Sequence, residues 1–76
     1  MHDGTYEITI MGIERSIVLE GNNATSSNSI SGTTKSEVKQ FEDMVEYIEE
    51  NGNTSIYYFL KNGDLKVSDY LIFHRV

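Results

Sequence analysis

The chain has 76 residues, no cysteine and two histidines, and its six basic and twelve acidic side chains give a net charge of −6. A chain this short supports one core and buries about 60% of the surface its unfolded form exposes, and without cysteine it has no disulfide framework to staple it. The acidity argues against direct binding to nucleic acid or to an anionic membrane, since both require clustered Lys and Arg, and it favours a basic protein as partner.

Met1 leads into His2-Asp3-Gly4 with neither a basic nor an apolar leader, and no apolar run approaches the roughly 18 residues of a spanning helix. The expectation is a single compact domain over residues 1–76, located in the cytoplasm, or in the host cytoplasm if the gene is carried by a phage.

Tyr6, Ile8 and Ile10 alternate with Glu7 and Thr9, the period of a half-buried strand. A tight connection over 12–15 and a second run, in which Ile17 and Leu19 alternate with Ser16, Val18 and Glu20, complete an N-terminal hairpin. Residues 21–34 contain one large apolar side chain, Ile30, among Ser, Asn, Thr and Gly. This composition predicts a flexible polar loop, or a loop holding one short edge strand around Ile30.

Past this loop the pattern predicts a helix. Thr34-Lys35-Ser36-Glu37 fits a capping box, Val38, Phe41, Val45 and Ile48 recur at spacings of three and four with Met44 beside them, and Asn51-Gly52 supplies a stop. Thr54 to Leu60 and Leu65 to Val76 then flank Lys61-Asn62-Gly63-Asp64. A type I′ turn on Asn62-Gly63 pairs Leu60 with Leu65, Tyr58 with Val67 and Ile56 with Asp69, which leaves Tyr57, Phe59 and Lys66 on the opposite face. A bulge near Ser68-Asp69 relieves the burial of Asp69 and brings Tyr70 and Ile72 to the core side. The predicted fold is α+β: an antiparallel sheet of four to five strands with one amphipathic helix across one face, in the order β-β-(β)-α-β-β.

Two groups of candidate partner-binding residues follow. On the predicted helix, Glu42, Asp43, Glu46, Glu49 and Glu50 share one face beside the apolar stripe. Glu42 with Glu46 and Glu46 with Glu50 are like charges at i,i+4, each costing roughly 0.2–0.5 kcal/mol, and Glu49 and Glu50 sit at the negative end of the helix dipole. Helix stability alone does not select this pattern, so it reads as a docking face for a basic protein; the plainer alternative is a solvated face in an acidic chain. The second group is Tyr57 and Phe59, aromatic anchors for a partner or for a homodimer. A one-residue register shift would instead turn both into the core.

No motif arranges catalytic chemistry. Glu37-Val38-Lys39 and Asp64-Leu65-Lys66 repeat the acid-x-Lys spacing of some metal-dependent nucleases, but isolated triplets are expected by chance in a charged chain. His2 and His74 have no neighbouring ligands at metal spacing, and each glycine at a turn stands alone, without a phosphate-binding loop. The expected function is that of a non-enzymatic protein, without cofactor or metal, that binds and inhibits a larger basic, nucleic-acid-binding protein. Size and charge suggest a phage or mobile-element anti-defence inhibitor of anti-CRISPR type. The alternative is a toxin-immunity protein or a self-associating adaptor working through the aromatic sheet face.

Overall fold

The computed structural model describes residues 2–76. It is an eight-stranded antiparallel meander, each strand pairing with the next and the last with the first, so that the sheet closes into a barrel. The strands are β1 (Gly4–Ile10), β2 (Ile13–Glu20), β3 (Asn23–Asn28), β4 (Gly32–Gln40), β5 (Met44–Ile48), β6 (Thr54–Phe59), β7 (Leu65–Ser68) and β8 (Leu71–Arg75). Among the described residues there is no helix, which overturns the expected α+β fold.

The N-terminal hairpin forms as its alternation predicts. Ile10 faces Ile13 across a two-residue turn in which Met11 and Gly12 both have positive φ, 51° and 79°. That is the backbone twist a right-handed hairpin requires. The tight connection is therefore Met11-Gly12, and residues 13–15 already belong to β2.

The predicted polar loop over 21–34 is β3 and the first part of β4, joined by a turn at 29–31 with Ile30 exposed at its tip. Ala24, Ser26 and Asn28 face inward, opposite Leu19, Ile17 and Arg15 of β2. These strands lack the bulky alternation that marks a strand in sequence. Their order comes from pairing on both edges, to β2 and to β5.

The predicted helix is the β4–β5 hairpin, turning at Phe41-Glu42-Asp43 with Phe41 N–H donating to the Met44 carbonyl at 2.8 Å. Val38 faces Tyr47 and Gln40 faces Val45. Val38, Val45 and Tyr47 are all buried. Val45 and Tyr47 alternate with Glu46 at period two, so the same residues satisfy both periods, and the β-branched and aromatic side chains favour the strand. The hairpin also separates carboxylates that a helix would have stacked. Asn51-Gly52 does turn the chain, with Gly52 at φ 85°, but between β5 and β6 rather than after a helix.

The C-terminal half differs in register by one residue. Phe59 pairs with Leu65 and Tyr58 with Lys66, because the connection is a five-residue loop over 60–64 rather than a two-residue turn. Leu60 N–H closes it on the Asp64 carbonyl at 2.8 Å, and the Asp64 carboxylate ties it to β8, accepting from Arg75 N–H at 3.0 Å and contacting His74 Nδ1 at 2.8 Å. The residues expected to form one long final strand divide into β7 and β8 around Asp69-Tyr70, with a register irregularity between Lys66 and Ser68. Tyr70, expected on the core side, is almost fully exposed, and Phe73 takes the buried position.

The core fills the barrel with Tyr6, Ile17, Leu19, Ala24, Val38, Val45, Tyr47, Leu65 and Phe73. Each fully buried Leu or Val contributes on the order of 1.5–3 kcal/mol by leaving water. On β1, β2 and β4 the side chains of Glu7, Thr9, Glu14, Lys35, Glu37 and Lys39 point outward.

Candidate functional site

The structure disperses the predicted acidic face. Glu42 and Asp43 lie in the β4–β5 turn at one end of the barrel, while Glu49 and Glu50 lie in the β5–β6 turn at the other. Strand β5 between them puts the two pairs roughly 15–20 Å apart at about 3.3 Å per residue. Glu46 stands alone mid-strand on the outer wall, flanked by Lys39 on β4 and Ile56 on β6. The helical wheel that gathered the five carboxylates does not apply.

Tyr57 and Phe59 are not an outer aromatic face. Both pack against the core from inside the barrel. The Tyr57 ring lies 4.8 Å from that of Tyr47, and Phe59 stacks on His2 at 3.7 Å. The shift in register moves them inward and turns Ile56 and Tyr58 outward, where they are 41% and 51% exposed. On this outer wall one row runs Met44, Tyr58, Lys66, Ile72 across β5 to β8. Half-exposed Phe41 stands beside its β5 end.

The two ends of the barrel are built differently. At one end the N-terminal segment closes the barrel. Asp3 accepts from Gln40 Nε2 at 2.8 Å and from Gly21 N–H at 3.0 Å. Arg75 donates to the Tyr6 hydroxyl at 2.8 Å and to the Asp3 carbonyl at 2.7 Å, and Tyr6 in turn donates to the His2 carbonyl at 2.6 Å. Gly4 permits this arrangement: a Cβ there would lie 3.0 Å from the Arg75 guanidinium, and its φ of 150° is one L side chains rarely adopt. These bonds hold the carboxyl groups of Asp3 and Asp64 below the usual range, chiefly through the Gln40 amide for Asp3 and the Arg75 backbone N–H for Asp64.

At the opposite end the interior stays open as a cavity of about 220 Å³. It exists because β3 and β4 contribute only the short residues Ser26, Ser27, Asn28, Gly32 and Thr34 where the other strands contribute rings and branched chains. Ile17, Tyr57, Val67 and Phe73 form its apolar walls, and Arg15 and Tyr47 are its strongest polar groups. The Arg15 guanidinium lies 5.8 Å from the centre of the Phe73 ring, and among the described residues it has no hydrogen-bond acceptor or ion-pair partner. Tyr47 is 8% exposed, and its hydroxyl has no hydrogen-bond partner among the described residues. Burial pushes its pKa up to about 12, and the Ser26 side chain works the other way. An unsatisfied buried hydroxyl costs about 1–3 kcal/mol.

This cavity was not foreseen from the sequence. The available signal was the run of small polar residues from 21 to 34, which reads as a loop, beside Arg15, which the sequence places in the connection over 12–15 but which continues the inward alternation of Ile17 and Leu19. Comparison of the chain with protein-family models, with curated proteins and with solved structures gave no match.

Proposed function

We propose that the protein is a non-enzymatic binding module that docks the outer wall of β5 and β6 onto a basic surface of a larger protein. The observation that carries this reading is the exposed pair Ile56 and Tyr58, with Met44 and Phe41 beside them, set between the carboxylate pairs Glu42-Asp43 and Glu49-Glu50. Apolar side chains at the centre of an interface supply affinity, and charges at its rim steer the encounter and select the partner. A basic rim around an apolar pocket is the complement of this wall. A second copy of the chain is a poorer one, since each copy carries a net charge of −6. The inhibitory activity expected from the sequence is the form of this reading in which the occupied basic surface is one that otherwise holds a nucleic acid.

The test begins with a partner captured from a host lysate and then purified. Ile56→Thr with Tyr58→Thr, which keeps β-branched side chains in the strand, should weaken its affinity at least tenfold, which is about 1.4 kcal/mol, while the free protein stays folded with its strand signals retained. Reversing Glu42 and Asp43 to Lys should slow association and flatten its salt dependence. Affinity unchanged by both variants would reject the wall as the interface. Salt-insensitive dimerisation in sedimentation would favour the self-associating adaptor.

A further inference from the structure

We propose that the open end of the barrel binds a small aromatic carboxylate, with its carboxylate on Arg15 and its ring against the apolar walls formed by Tyr57, Val67 and Phe73. This site lies inside the barrel and is independent of the outer wall.

Three observations converge on this chemistry. The first is charge. Twelve of the chain's residues are acidic, yet none of them lines the cavity, while Arg15 does. A guanidinium over a ring and without an anionic partner is suited to a carboxylate, which it can bind through two parallel hydrogen bonds. The second is the Tyr47 hydroxyl, in a residue more than nine-tenths buried, with no hydrogen-bond partner among the described residues. It remains a donor throughout the physiological range and offers a second polar contact to a substituent on the ring. The third is size. A cavity of about 220 Å³ is moderately larger than the roughly 150 Å³ apolar cavity known to take benzene, and below the roughly 300 Å³ at which drug-sized pockets begin. One ring with one or two polar substituents fits; a nucleotide or an acyl chain does not. Inorganic phosphate is disfavoured because only one cation is present and much of the wall is apolar.

The probes are benzoate, 4-hydroxybenzoate, neutral benzamide and inorganic phosphate, titrated into the full chain while amide and tyrosine ring signals are followed by NMR. Benzoate and 4-hydroxybenzoate should produce saturable shifts confined to residues around Ser26, Thr34, Tyr47 and Tyr57, with benzamide roughly tenfold weaker and phosphate failing to displace them. Arg15→Gln should bring benzoate to the level of benzamide. Tyr47→Phe should remove the preference for 4-hydroxybenzoate over benzoate and leave benzoate itself unchanged. The proposal is overturned if the shifts do not saturate or spread over the surface, if benzamide equals benzoate on the wild-type chain, or if phosphate competes. Because the ligand comparison is made on the wild-type protein, a variant that fails to fold does not rescue the idea.

Discussion

The two ends of this barrel carry the same pair of side chains in opposite circumstances. At the closed end Arg75 lies 5.4 Å from the centre of the Tyr6 ring, and the groups satisfy one another: Arg75 donates to the Tyr6 hydroxyl and to the Asp3 carbonyl, and Tyr6 donates to the His2 carbonyl. At the open end Arg15 lies over Phe73, and the Tyr47 hydroxyl has no hydrogen-bond partner among the described residues. The chain's own N-terminal segment provides acceptors at the first end and nothing equivalent at the second. An Arg and a Tyr whose bonds are made internally contribute to stability, whereas the same groups left unbonded are available to a ligand.

The largest expected difference between the ends lies in the arginines. Arg75→Ala removes two charge-assisted hydrogen bonds and should cost about 2–3 kcal/mol in urea denaturation. Arg15→Ala loses only its approach to a ring and should stay within about 1 kcal/mol of wild type. Equal losses would erase the contrast. The tyrosines should follow with a smaller effect. Tyr6→Phe leaves the Arg75 guanidinium and the His2 carbonyl short of a partner and should cost about 1–2 kcal/mol, whereas Tyr47→Phe deletes an orphaned donor and should be neutral or stabilising.

The smallest effect is the response to pH, which separates the ends by direction. Asp3 and Asp64 have folded pKa values below the usual 3.8. Their contribution is therefore present above that value and is lost as pH falls through the depressed folded values. Hydrogen exchange of Gly21 and Arg75 should accelerate in that acid range before exchange in β5, and Asp64→Asn should remove the acid dependence at Arg75. Tyr47 has the opposite sign. Its pKa is raised from 10 to about 12, so its contribution is complete below 10 and disappears as pH climbs through about 12. A tyrosine ionising near 12 in an absorbance titration should be missing from Tyr47→Phe.

Several elements were legible from local pattern. The alternation of Tyr6, Ile8, Ile17 and Leu19 places β1 and β2 correctly, and the turns at Gly12, Gly52 and Gly63 all use positive φ. The helix was misread because Val38, Phe41, Val45 and Ile48 satisfy a period of 3.6 while Val45 and Tyr47 satisfy a period of two, and short apolar runs do not separate the two. The like charges at Glu42, Glu46 and Glu50, taken in the sequence as a docking face, are instead a sign against the helix: a pattern that would burden a helix costs nothing in a hairpin that carries Glu42 and Glu50 to opposite turns. The candidate site suffered from the same local ambiguity. One residue of register at 60–64 exchanged Tyr57 and Phe59 for Ile56 and Tyr58 on the outer wall.

By itself the sequence determined the absence of covalent staples, the net charge, the N-terminal hairpin and the turns at Gly12, Gly52 and Gly63. These depend on composition or on residues adjacent in the chain. Only the tertiary structure decided that the polar stretch 21–34 is paired strand, that β1 meets β8 to close the barrel, and that Arg15 and Tyr47 line one open end. Strand pairing draws its free energy from hydrogen bonds and side-chain contacts between segments distant in sequence. A strand of Ser, Asn and Thr therefore carries little local sign of its state until both neighbours are in place.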